Sequence, residues 1–249
     1  MKRVKLVVAY DGTKYCGWQV QPNAVTVAGV INKALSELLG EEITIMGASR
    51  TDAGVHAMGN VAVFDTNNRI PGNKVSYALN QRLPEDIRIQ HSEEVDPEFH
   101  PRFCSCRKTY CYRILNSPFP NPCKRLYEYF VHRKIDVEAM QEAAQYLVGT
   151  HDFKSFCSAN TQVKDTVRTI YSLDVHRMGD EVIITVNGNG FLYNMVRIIA
   201  GTLLQVGTGL KKPEDVKVML EGLDRTLSGP TAPALGLMLM KIDYLDNGI

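Results

Sequence analysis

Lys5-Leu6-Val7-Val8-Ala9-Tyr10-Asp11-Gly12 is an apolar run rich in β-branched residues that ends on a turn pair, so it reads as a strand and its stop. The next eighty residues decide the fold class. Thr26 offers an oxygen that can cap a helix, and Val27, Val30, Ile31, Ala34, Leu35 and Leu38 recur at intervals of three and four before Gly40 ends the run. Residues 43–46 and 61–64 then read as two strands flanking a glycine-containing loop, with a short helix over 75–83 and a strand over 87–90 after them. The order across residues 1–105 is β-α-β-β-α-β.

Residues 106–249 repeat that order without visible similarity of sequence. Residues 108–115 alternate as a strand, and Asp136 caps a helix with Met140, Ala143, Ala144 and Leu147 on one face, closed by Gly149. A hairpin of 167–176 and 181–187 turns around Met178-Gly179-Asp180, two helices span 191–206 and 214–221, and the chain returns as a strand over 237–244. Each half therefore fits the split βαβ, ferredoxin-like pattern that sheet-based RNA-binding modules also use. The expected fold is α+β, two tandem halves with mainly antiparallel sheets, divided into domains 1–105 and 106–249.

The 249 residues are 45% hydrophobic and 22% charged, with a formal charge of +1, which excludes a wholly basic nucleic-acid binder but not a local basic face. Residues 99–134 supply one: eight basic residues (Arg102, Arg107, Lys108, Arg113, Lys124, Arg125, Arg133, Lys134) stand against Glu128 alone. Tyr110, Tyr112, Phe119, Tyr127, Tyr129 and Phe130 interleave with them, a pattern suited to phosphates and unpaired bases, or equally to a strand with one core face and one solvated face. After Met1-Lys2-Arg3 only Leu6 to Ala9 is continuously apolar before Asp11, too short for a signal-peptide core or a membrane span, and 195–206 is broken by Arg197. A cytoplasmic protein with no membrane association is expected. Six cysteines then read as free thiols, and Cys104, Cys106, Cys111 and Cys123 lack the paired spacing of a zinc site.

Gly47-Ala48-Ser49-Arg50-Thr51-Asp52-Ala53-Gly54-Val55-His56-Ala57 is longer than a connection between adjacent strands requires, and excess loop on a rigid sheet is where sites are built. Thr51 and Asp52 could simply cap a turn. Alternatively Asp52 is a carboxylate kept ionised by the neighbouring Arg50 guanidinium, as a nucleophile or base must be. Arg197, set among Val196, Ile198 and Ile199, needs a carboxylate partner if it is buried; Asp52 and Asp174 are candidates, and snorkelling to solvent is the alternative.

Taken together these residues carry a resemblance. Tyr10-Asp11-Gly12-Thr13 with Tyr15, Gly17, Trp18 and Gln19, then Arg50-Thr51-Asp52-Ala53-Gly54-Val55-His56, Lys108-Thr109-Tyr110-Cys111-Tyr112 and Met195-Val196-Arg197 resemble, in order, the bacterial tRNA pseudouridine synthase A family. The resemblance runs from residue 4 to residue 244, and departs from the family in the cysteine-rich stretch 104–111. It implies the pseudouridine synthase fold and conversion of uridine to pseudouridine at positions 38, 39 and 40 of the tRNA anticodon stem-loop, without cofactor or metal, by a homodimer. It also implies that Asp52 is the essential aspartate, that Tyr110 stacks on the target base and that Arg197 pairs with the aspartate. Arg50 is implied to hold the RNA backbone, and Leu237 to lie near the uracil. A non-catalytic RNA-binding protein of two sheet modules would explain the basic stretch but not the aspartate loop. A carboxylate-dependent nucleoside hydrolase or phosphodiesterase would want a second carboxylate or a metal cluster, which the loop does not offer.

Overall fold

The structure, a computed structural model, describes residues 1–158 and 165–245. The first elements are β1 (Lys2–Tyr10), α1 (Val27–Leu39), β2 (Met46–Gly47), β3 (His56–Thr66), α2 (Gly72–Asn80) and β4 (Ile87–Val95). Then come β5 (Cys106–Leu115), β6 (Tyr129–Phe130), α3 (Val137–Gln145), β7 (Gly149–Asp152), β8 (Val167–Met178), β9 (Glu181–Gly188), α4 (Met195–Gly207), α5 (Asp215–Glu221) and β10 (Leu237–Tyr244). Two compact units divide the chain: Met1–Cys106 with the segment that begins at Met238, and Arg107–Leu237.

In the first unit β1 lies between β4 and β3, antiparallel to both, and β2 pairs antiparallel with β3 at Ala62 and Val63. The spatial order β4-β1-β3-β2 is that of a split βαβ sheet. Val4, Leu6, Val8 and Tyr10 of β1 are buried in alternation, as period two demands. In α1 the Thr26 hydroxyl accepts from Gly29 N and Gly40 stops the helix in the left-handed region. The cap is worth about 1 kcal/mol. Val27, Ile31 and Leu35, wholly buried, contribute roughly 1.5–3 kcal/mol each, so the apolar face holds this helix in place.

The expected strand over 43–46 shrinks to Met46–Gly47 because its backbone is engaged elsewhere: Ile43 N donates to Ser36 Oγ and Ile45 N to Asn32 Oδ1, both on α1. β3 is correspondingly longer than the expected 61–64, and the loop before it contracts to 48–55, with His56 and Ala57 on the strand itself.

The second unit places β9 between β5 and β8, with β7 beyond β8, all antiparallel, while β6 runs parallel to β5. The hairpin of β8 and β9 turns at Gly179, as its sequence suggests. Gly149 begins β7 with φ +117°, and α3 already ends at Gln145. β10 departs from the half assigned to it by chain order. It pairs in parallel with β3, Met238 opposite His56 and Leu239 opposite Ala57, within the first unit. Among the described residues no helix is long and apolar enough to cross a membrane, and all six cysteines are unbridged.

Candidate active site

The Asp52 loop is gripped from one side by the turn after β1. Trp18 N donates to Thr51 O at 3.1 Å, and Gly54 N donates to Tyr15 O at 3.2 Å. The Tyr10 hydroxyl and Thr51 Oγ1 are 2.7 Å apart, and buried Asn60 on β3 donates to Ser49 O at 3.0 Å. Val55 N closes a tight turn onto Asp52 O at 3.1 Å, with Gly54 in the left-handed region that such a turn requires. Two glycines permit the approach. A Cβ on Gly12 would lie 2.0 Å from Val55 O, and one on Gly17, where φ is +83°, would lie 2.6 Å from Thr51 O. Trp18 in turn packs so closely on Gly47 that a Cβ there would meet its indole nitrogen at 2.2 Å.

These contacts give the two sequence motifs a common physical purpose. Residues 10–18 form the cradle, and residues 50–56 form the loop that the cradle fixes. Tyr15 is pinned by its hydroxyl to Asp86 Oδ1 at 2.6 Å, and burial together with that hydrogen bond pushes its phenol well above the ordinary range, so it stays protonated as a donor. Asp52 is half-buried and Arg50 is exposed. Beside Gly47, Arg102 donates from Nε to the Gly47 carbonyl at 2.8 Å. Burial and then the nearby charge of Arg50 hold the Arg102 pKa below its usual value.

The second unit holds the remaining candidates. Arg197, in the first turn of α4, donates from Nε to Ala232 O at 2.8 Å and from Nη1 to Asn194 Oδ1 at 2.9 Å. Both acceptors are neutral, and together they set the orientation of the guanidinium. Asn194 is a further candidate that the sequence alone does not single out: it sits at φ +60°, unusual for a residue with a side chain, and its Nδ2 donates to Ser158 Oγ at 2.8 Å. The only sequence signal for it was an asparagine at the point where a helix begins. Arg225 donates to Ser228 O, Ser228 Oγ and Gly229 O, ordering the loop from which Ala232 reaches Arg197.

Tyr110, on β5 opposite Val186, is buried and meets Phe191 edge-on with ring centroids 5.3 Å apart. Leu237 is buried at the start of β10. Asp52 and Arg50 thus belong to the first unit, and Tyr110, Arg197 and Leu237 to the second.

The basic, aromatic stretch is less open than its composition suggests. Lys124 is bonded to Glu181 and lies 3.1 Å from Glu128, so its charge is consumed internally. Arg107 stacks over Tyr171 at 4.8 Å. Tyr112 is fully buried with its hydroxyl on Pro233 O, a core residue and no base platform. Of the six aromatics Phe119 and Tyr127 are exposed, Phe119 broadly and Tyr127 over 38% of its surface. β5 does not alternate between a core face and a solvated face: Tyr110, Cys111 and Tyr112 are buried in succession, as are Ile114 and Leu115, so its second half is a core strand covered on both faces.

The architecture and the cradled loop define a class: α+β proteins of two sheet-based units, one of which holds a polar loop tightly between its strands. A family model described as tRNA pseudouridine synthase matches residues 6–104 and 143–245. The chain is 52% identical over 244 residues to tRNA pseudouridine synthase A of Brevibacillus brevis, covering 98% of this chain and 100% of that one. It is 51% identical over 245 residues to the protein of that name from Ruminiclostridium cellulolyticum, covering 98% and 100%. For Acetivibrio thermocellus the figures are 49% over 244 residues, again 98% and 100%. The chain belongs to the tRNA pseudouridine synthase family.

Proposed function

We propose that this protein isomerises uridine to pseudouridine at positions 38, 39 and 40 in the anticodon stem-loop of tRNAs, as a cytoplasmic homodimer that needs neither cofactor nor metal. The observation that carries the assignment of the chemistry is the cradle. Two glycines, a tryptophan and two tyrosines are spent on fixing one short loop, and the ionisable carboxylate in that loop is Asp52.

The target uracil leaves the stack, at a cost of about a few kcal/mol. Asp52 attacks C1′ of its ribose or takes a proton from the sugar while the N-glycosidic bond breaks. The detached uracil turns and bonds to C1′ through C5, displacing the Asp52 carboxylate from C1′ if it had attacked there, or with return of the abstracted proton to the sugar if it had acted as a base; the proton formerly on C5 passes to solvent and N1 ends protonated. Arg197 favours the ionised form of Asp52. Its fixation by Ala232 O and Asn194 Oδ1 supports that role, because a preoriented guanidinium spends less entropy on pairing. Tyr110 meets the flipped base, Leu237 supplies an apolar contact to the uracil, and Arg50 holds the RNA backbone while the base is out.

Tritium release from tRNA labelled at uridine C5 tests the proposal. Native protein should release tritium, and Asp52→Asn should bind the same tRNA without releasing any. Normal turnover by the Asn variant would remove Asp52 from the chemistry. Binding without release by the native protein would favour the non-catalytic RNA-binding reading.

A further inference from the structure

The segment between β4 and β5 is short, polar at its start and unusually well tied down. Phe99 O accepts from Arg3 Nη1 at 3.0 Å, Pro101 O accepts from the Tyr244 hydroxyl at 2.9 Å, and Ser105 O accepts from Leu245 N at 2.9 Å. The Phe99 ring packs edge-on against Tyr244 with centroids 4.9 Å apart. Within the turn, Phe103 N and Cys104 N both donate to His100 O, each at 3.2 Å, and Arg102 N donates to His100 Nδ1 at 3.2 Å. A turn held by this many bonds has little freedom left.

The turn displays an aromatic face. Phe103 is 84% exposed and its ring stacks on that of His100, with centroids 4.0 Å apart and planes 20° from parallel. An exposed phenylalanine contributes almost nothing to stability by burial, so rigid support beneath its ring makes sense as a flat surface for a planar ligand. The residue before it, Arg102, reaches to the Gly47 carbonyl at 2.8 Å, at the root of the Asp52 loop. The charged side chain acting on Arg102 there is a second arginine, Arg50. Arg102 is thus anchored on Gly47, three residues before exposed Arg50 of the Asp52 loop, and a phosphate can accept from two guanidinium groups at once. A planar face beside an anion-seeking pair matches one repeating chemical unit, a nucleotide of single-stranded RNA.

We propose that Arg50 and Arg102 together clamp one phosphodiester of the tRNA, and that Phe103, backed by His100, stacks a base of the same strand. This subsite rests on the tRNA reading given above and extends it to residues outside the Asp52 loop. Its effect is on substrate binding: Phe103 touches no reacting atom.

Steady-state tritium release and filter binding with a C5-labelled tRNA transcript, over a salt series, provide the test. Phe103→Ala should raise KM and Kd about 5- to 150-fold, the factor that corresponds to losing one stacked base, while kcat changes much less. Phe103→Trp should restore the native values. Arg102→Gln should weaken binding and lower the slope of log Kd against log salt by about 1. Thermal melting should be unchanged in both Phe103 variants, since the ring is exposed. Native KM in Phe103→Ala together with a native salt slope in Arg102→Gln would overturn the subsite. So would a change in the sedimentation of Phe103→Ala at native KM, which would make the ring a protein contact. A native protein that releases no tritium would defeat the functional reading itself; an active native protein with native-like variants would defeat only the subsite.

Discussion

Replacing Gly17 by alanine separates the cradle's two tasks, holding the fold and placing Asp52. Gly17 has φ +83°, a region that costs an L-residue about 1–2 kcal/mol. The added Cβ would also lie 2.6 Å from Thr51 O, 3.1 Å from Asp52 C and 3.2 Å from Ala53 N. Ordinary contact begins at 3.4 Å, so the nearest atom must retreat by the difference between 3.4 and 2.6 Å, which is 0.8 Å. All three of these atoms are backbone, and two belong to Asp52 or the residue after it. A shift of about 1 Å in a reacting group costs on the order of 10²-fold in rate. Gly40 is a matched control: its φ is +68° and nothing lies within 4 Å of an added Cβ, so Gly40→Ala bears the conformational cost without the collision. Gly40→Ala should melt about 2–8 °C below native protein, from 1–2 kcal/mol in a chain of this size, and Gly17→Ala, which adds the collision, lower still. Only Gly17→Ala should lose kcat, by about 10²-fold in tritium release, with Gly40→Ala within about twofold of native. Equal activity in the two variants would refute the claim that the first motif positions the second.

Tyr110→Ala should abolish most turnover while whole-tRNA affinity falls only modestly, because phosphate contacts supply most of that affinity; parallel losses in kcat and Kd would contradict a contact confined to the flipped base. Asn194→Ala removes a bond to Arg197 and puts a less tolerant residue at φ +60°, so kcat should drop about 10-fold and stability by about 1–2 kcal/mol. Asn194→Gly should recover stability but not kcat, and recovery of both would show that only backbone strain mattered. Burial raises the Glu128 pKa, so its stabilising contribution is present at low pH and is lost as pH rises through that raised value. Glu128→Gln does not titrate. Its melting temperature relative to native protein should therefore climb with pH, and a difference that falls as pH rises would reverse the assignment.

Apart from the short strands β6 and β7, which no periodicity marks, the element order is legible because each piece carries a local signal: alternation in β1, a capped apolar stripe in α1, a glycine at the turn between β8 and β9. Partnership across the chain is not. β10 was recognised as a strand, yet its pairing with His56 and Ala57 depends on contacts some 180 residues away, which no local pattern encodes. The strand expected over 43–46 failed for a related reason, since its amides are taken by Ser36 and Asn32, whose reach from α1 is a property of packing. At the site, the Asp52 loop was visible as excess polar sequence between strands. That residues 10–18 clasp it was not visible, because a glycine's value lies in the backbone it allows to approach. Composition misled in residues 99–134: charge counting cannot see that Lys124 faces two carboxylates or that Tyr112 points into the core.

If Asp52 performs uridine isomerisation within the anticodon stem-loop, the modified positions and their dependence on the carboxylate are both fixed. Site-resolved mapping of pseudouridine in a tRNA transcript with uridines at 38, 39 and 40, after incubation with native or Asp52→Asn protein, tests both most directly. Native protein should place pseudouridine at those positions and nowhere else, and the Asn variant at none. Modification elsewhere in the tRNA, or any at these positions by Asp52→Asn, would contradict the account.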